Sequence, residues 1–185
     1  MPPKQKYSRE DILQAAFQLV REHGIENLNV RSVAKMLQAS TQPVFSYYEN
    51  MADLKTDLFA MVSQYHGRYF DRVETGETLL SSIGMTYIDF AIEEPNLFRM
   101  MFMAQGFSGT KLGNFFESFS DDCNERLTKA ISASFDLEEP ETMGMFVDMW
   151  LYAHGIASML VMNQLPTPRS EIETMVQKMA MRRTR

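Results

Sequence analysis

The chain has 185 residues, 45% hydrophobic and 23% charged, proportions that exclude disordered and fibrous classes. Its net charge of −6 rules out a wholly basic nucleic-acid coat protein but leaves room for a local basic face. Its single cysteine, Cys123, excludes an internal disulfide or a cysteine-built zinc site and points to a reducing cytoplasm.

The opening MPPKQKYSRE has no apolar run behind its positive charges and does not read as a secretory signal. Residues 1–50 carry six bases and five acids, whereas the remainder carries twelve bases and nineteen acids. The first part tolerates a polyanion and the second avoids one. Sixteen methionines suggest adaptable packing in a core or pocket.

Nearly every periodic stretch reads as helix. From Ser8 to His23, Ile12, Leu13, Ala16, Phe17, Leu19 and Val20 fall on one face, with Ser8 and Asp11 as a capping box and Gly24 as the stop. A second helix is predicted over 30–37 behind an Asn29 cap, and a third of about two turns from a Ser40 cap through Tyr47. Asn50, with Asp53 three residues on, caps a fourth. Further helices are predicted at 77–93, 95–104, 112–135, 140–163 and 168–184, with Pro95, Pro140 and Pro168 at openings. No strand-length alternation, repeat or low-complexity tract interrupts them, so the fold class is all-α.

Helices two and three, separated by Leu37-Gln38-Ala39-Ser40, have the dimensions of a helix-turn-helix. Val33, Ala34 and Leu37 supply the packing face. Ser40, Thr41, Gln42, Ser46 and Tyr47 place hydrogen-bonding groups where base edges and phosphates would lie. Lys4, Lys6 and Arg9 form an arm in front that could track phosphates or a minor groove.

Residues 9–59, REDILQAAFQLVREHGIENLNVRSVAKMLQASTQPVFSYYENMADLKTDLF, resemble the DNA-binding domain of TetR/AcrR-type bacterial transcription regulators. The order matches: a first helix ending in HG, then VRSVAKML, a short turn, STQPVFSYY and a capped helix with Leu54. Phe45, Tyr47 and Tyr48 stand at positions of the family's Y-x-(H/Y)-F signature. EEPNLFRMMF (93–102) and WLYAHGIASML (150–160) look like C-terminal segments of one branch. The resemblance implies base or phosphate contact from Arg31, Thr41, Gln42, Pro43, Tyr47 and Tyr48, with Gln42 suited to an adenine edge and Tyr47 to a phosphate. Two departures stand out. Gln38 occupies the usual turn glycine, and Met51 replaces a common lysine, which removes a phosphate contact and lowers the salt dependence; Lys55, one turn later, is a substitute.

The implied architecture is a helix-turn-helix DNA-binding domain (1–50) followed by a larger ligand-binding and dimerisation domain (51–185). The implied function is a ligand-responsive regulator, a repressor reading a palindromic operator on double-stranded DNA as a homodimer paired through residues 140–163 and 168–184. A small hydrophobic or aromatic effector would release it from a cavity lined by Met85, Tyr87, Phe90, Met100, Met101, Met103, Phe119, Phe146, Met149 and Trp150, with His154 beside them. The alternative is a sensor or protein-interaction module of the same fold that does not read DNA.

Structural readings compete at several positions. Phe45 and Tyr48 read first as small-domain core, and His154 as a hydrogen-bonded core histidine. Met143 to Met162 has fifteen apolar residues in twenty, yet Asp148 and His154 argue for a buried helix over a membrane span. Trp150 and His154, four apart, share a face. His23, His66 and His154 lack metal-ligand spacing, Cys123 has no flanking cation to activate it, and no phosphate loop, nucleophile elbow or H-E-x-x-H appears. Neither an enzyme nor a cofactor is expected.

Overall fold

Ser8 opens the first helix through the capping box that its sequence predicts. Its hydroxyl oxygen accepts from the Asp11 N–H at 3.1 Å, and the Asp11 carboxylate takes the Ser8 N–H at 2.7 Å. The structure, a computed structural model, describes residues 6–104 and 121–183. Helix α1 (Arg9–His23) stops at Gly24, whose φ of 85° suits glycine. A 3-10 turn (Ile25–Asn27) leads to α2 (Val30–Met36), capped by Asn29 Oδ1 accepting from the Ser32 N–H at 3.0 Å.

The third helix is shorter than the two turns predicted over 40–47. Helix α3 spans Gln42–Phe45, with Thr41 rather than Ser40 at its N-cap and no side-chain cap. Pro43 has no N–H to give, and beyond Phe45 the chain tightens, with the Tyr47 N–H bonding the Val44 carbonyl at 3.2 Å. Helix α4 (Met51–Tyr69) follows, with Asn50 Oδ1 accepting from the Ala52 and Asp53 N–H groups at 2.8 and 3.1 Å.

After 3-10 turns at Phe70–Arg72 and Gly76–Thr78 come α5 (Leu79–Glu93), α6 (Pro95–Phe102), α7 (Asp121–Phe135), α8 (Glu139–Val161) and α9 (Arg169–Arg183). Residues 112–120 of the predicted 112–135 helix lie outside the described residues. Among the described residues every regular element is helical. Among the described residues, three helices end on non-glycine residues in the left-handed region: Gln38 (φ 51°) after α2, Asp136 (φ 52°) after α7 and Asn163 (φ 55°) after α8.

The chain forms two compact units, Met1–Ser63 with Asn96–Ser108, and Gln64–Pro95 with Gly109–Arg185. The first of these units runs through Ser63, within α4. In the first unit α1 packs on α2 and α2 on α3 around Ile12, Ala16, Val20, Val33, Val44, Leu54 and Leu58. In the second, α5 lies against α7, α8 and α9. Gly84 permits that approach: a Cβ there would stand 2.6 Å from Met149 Sδ and 3.0 Å from Val176 Cγ1.

Helix α8 is long and apolar enough to cross a membrane by length and composition alone. Met145, Phe146, Met149, Ala153 and Ala157 instead face the interior of the second unit, and Asp148 is ion-paired with Arg183. Its other side is open in the single chain, where Leu151, Met159 and Met162 are exposed.

Candidate nucleic-acid interface and interior of the second unit

The α2–α3 turn is closed by a paired hydrogen-bond motif at the end of α2. The Ala39 N–H reaches the Ala34 carbonyl at 2.9 Å and the Gln38 N–H reaches Lys35 at 3.0 Å. Two tyrosines then tie the N-terminal segment onto it. The Tyr7 hydroxyl donates to the Leu37 carbonyl at 2.9 Å, and the Tyr47 hydroxyl donates to the Tyr7 carbonyl at 3.0 Å. This places exposed Lys6 beside Ser40, Gln42, Pro43 and Tyr47, around a groove of about 340 Å³.

Ser40, Gln42, Lys6 and Arg31 are exposed, while Thr41, Pro43, Tyr47 and Lys55 are half-buried. Tyr47 is on the expected face, but its hydroxyl proton is committed to Tyr7 rather than offered to a phosphate. Lys4 lies outside the described residues.

Tyr48 corrects the contact set. It is 2% exposed, its hydroxyl donating to Asp57 at 2.9 Å and accepting from Arg9 Nε at 3.4 Å. Arg9 is likewise no part of a free arm, since its guanidinium pairs with Asp57 at 2.8 Å and lies over the Tyr48 ring at 5.0 Å. Phe45 reverses the other aromatic reading: read as core, it is 57% exposed. The inward side of α3 is completed by Val44 and Tyr48, which are one helical turn apart.

In the second unit, Phe146, Met149 and Trp150 meet Tyr87 and Phe70 around an apolar void of about 10 Å³, room for about one water-sized guest and far less than an effector needs. Trp150 and His154 stack at 4.9 Å, and the Tyr87 hydroxyl lies 2.8 Å from His154 Nδ1. Burial pushes the Tyr87 hydroxyl up and the His154 imidazole down. A neutral phenol therefore faces a neutral imidazole.

His66, which the sequence does not mark out, lies at the centre of the cluster. It is fully buried, with the rings of Phe90, Phe70 and Tyr87 at 4.6, 5.2 and 5.7 Å. Burial lowers its imidazole to about 3.

The residues expected to line the effector cavity fall in both units. Met100 and Met103 belong to the first unit, because α6 packs there and Asn96 Nδ2 donates to the Arg21 carbonyl at 3.0 Å. Phe90 is buried against His66 and Tyr69. Phe119 lies outside the described residues. Met85 lines a different concavity, a polar cleft of about 380 Å³ that also includes Arg72, Glu74, Thr86, Asp89 and Arg169. Arg169 is held there by both Asp89 carboxylate oxygens, at 3.1 and 2.8 Å. No local sequence pattern marks this cleft, because its walls come from residues about a hundred positions apart. Cys123 is buried, which raises its thiol pKa even though Arg126 lies near.

Residues 80–182 match the model of the tetracyclin repressor-like C-terminal domain, a stretch that includes α8, α5 but for Leu79, and Tyr87, Phe90, Trp150 and His154 of the aromatic cluster. The chain belongs to the TetR family of transcription regulators. This TetR-family chain has the fold of three solved structures. It is similar to a protein with unknown function from Rhodococcus sp. RHA1, with TM-score 0.65, 19% identity and coverage of 98% of each chain. It is also similar to a TetR family transcription regulator from Marinobacter aquaeolei VT8, with TM-score 0.63, 19% identity and coverage of 95% of this chain and 94% of the other. The third is a TetR transcriptional regulator from Rhodococcus sp. RHA1, with TM-score 0.58, 13% identity and coverage of 94% and 93%. No curated protein matches the sequence.

Proposed function

We propose that this TetR-family chain is a cytoplasmic repressor that binds a palindromic operator as a homodimer and is released by a small apolar effector. The observation that carries the DNA-binding part is the outward face at the start of α3. Exposed Ser40 and Gln42 stand beside Lys6, held there by the Tyr7 and Tyr47 hydrogen bonds. Gln42 can pair with an adenine edge, and Lys6 and Arg31 can neutralise phosphates. DNA reading is assigned to the N-terminal 50 residues, and effector binding and dimerisation to the rest.

The open side of α8, with Leu151, Met159 and Met162 exposed, supports pairing through α8 and α9 into a four-helix arrangement. The effector is assigned to the wall formed by Tyr87, Phe146, Met149, Trp150 and His154. The void there is about 10 Å³, so entry requires the flexible Met149 side chain to swing away. An effector that displaces Met149 must favour the released state over the DNA-bound state by a few kcal/mol, roughly the size of typical allosteric couplings.

The test is binding of the purified full chain to the duplex upstream of its own gene at two salt concentrations. Tight binding that weakens steeply with salt, is competed poorly by random DNA and is weakened in Gln42→Ala supports the regulator reading. A folded dimer that binds neither this duplex nor random genomic fragments refutes it and favours the sensor that does not read DNA.

A further inference from the structure

Phe45 is an aromatic side chain held in solvent at the end of α3, whose inward position is filled by Val44, with Tyr48 buried just beyond it. It is 57% exposed, whereas its neighbour Val44 is 1% exposed and Tyr48 is 2% exposed. The core of the first unit is therefore complete without it. Gln42 is three residues earlier on α3 and also exposed, so the two side chains leave the helix on one face. Ser46, the next exposed residue, turns its hydroxyl back onto the Gln42 carbonyl at 3.0 Å and competes little for an outside partner.

A major groove offers few partners to a side chain with neither donor nor acceptor. Phosphates, sugars and the edges of guanine, cytosine and adenine present polar atoms; the 5-methyl group of thymine is the apolar feature. We infer that Phe45 reads thymine methyls in each operator half-site while Gln42 reads an adjoining adenine, so that the half-site core is built of A·T pairs. The inference rests on the DNA-binding reading above and extends it to a specificity-determining residue and a base identity. Replacing Phe45 should then relax selection at the thymine position more than it weakens binding to phosphate.

The experiment starts from a duplex enriched by the full chain out of a random DNA pool. Each thymine of that duplex is replaced in turn by deoxyuridine, which removes only the methyl. For the wild-type chain, one or two symmetry-related positions should lose about fourfold in affinity per half-site, the value of one buried methyl-sized group. Phe45→Ala should bind the thymine duplex less tightly and be indifferent to uracil at those same positions. Gln42→Ala, weakened overall, should keep the uracil effect. Circular dichroism of Phe45→Ala, expected to match wild type because the ring is exposed, separates lost reading from lost folding.

Enrichment of a duplex whose uracil-substituted forms all bind the wild-type chain equally overturns the inference and leaves the DNA-binding reading standing. A Phe45→Ala chain that retains the uracil effect overturns it too. Failure of the wild-type chain to enrich any duplex overturns both.

Discussion

Gln38 occupies the position after α2 at which helices of this kind usually place glycine, with φ of 51°. The hydrogen bonds around it, Ala39 N–H to Ala34 and Gln38 N–H to Lys35, are those of a glycine-ended helix. A side chain with a Cβ in this conformation costs about 1–2 kcal/mol. Glycine removes that cost but has more freedom to lose on folding, which returns roughly 0.5–1 kcal/mol. The steric effect is the larger, and Gln38→Gly should stabilise the chain by about 0.5–1 kcal/mol. Asn163 has nearly the same φ, 55°, after α8, but its short amide tolerates the left-handed region. Asn163→Gly should therefore gain much less, and Gln38→Val, stiff at its branched Cβ, should lose at least as much as Gln38→Gly gains. Urea denaturation followed by circular dichroism reads all three. The expected pattern is a higher midpoint at unchanged slope for Gln38→Gly, by about 0.2–0.5 M for a slope of about 2 kcal/mol/M. A Gln38→Gly midpoint at or below wild type, or an equal gain from Asn163→Gly, would refute the argument.

Three further outcomes follow from the geometry. Gly84→Ala gains about 1 kcal/mol of helix propensity, but its Cβ would press on Met149 and Val176 at 2.6 and 3.0 Å; Val176 is too stiff to yield fully, so a net loss of up to about 2 kcal/mol is expected in thermal melts. His66, lowered to about 3 from 6.5, binds a proton in the unfolded chain before it does in the folded one. Its contribution is complete above pH 6.5 and declines as pH falls toward 3, by about 2 kcal/mol at pH 5, and His66→Phe should flatten that slope in stability-versus-pH measurements. Tyr7→Phe removes the hydroxyl that holds the Leu37 carbonyl, worth about 0.5–1.5 kcal/mol; the urea midpoint should fall by about 0.2–0.7 M for a slope of about 2 kcal/mol/M, and operator affinity should fall several-fold.

Local chemistry was legible in the sequence wherever partners lie within a turn or two. Ser8 with Asp11, Asn29 with Ser32 and Asn50 with Asp53 set the starts of α1, α2 and α4 because a cap needs only the next three residues. The Trp150–His154 pairing follows from helical spacing in the same way. The length of α3 was less legible, since Pro43 and the tighter bonds after Phe45 compete with helix continuation by small margins.

Tertiary structure alone decided what each side chain faces. Tyr48 and Phe45 are both aromatic residues near the recognition stretch, yet one is bonded to Arg9 and Asp57 and the other stands in solvent. Met100 and Met85, both read as effector lining, went to different units: α6 clusters with the first unit, tied to α1 by the Asn96–Arg21 hydrogen bond, while α5 turns Met85 toward a polar cleft. His66 gained its aromatic surroundings from Phe70, Tyr87 and Phe90, two of them on another helix. Hydrophobic periodicity specifies that a face is buried, because that depends on the residue's own transfer from water. Which neighbour buries it depends on contacts between residues far apart in sequence, and those exist only once the helices have packed.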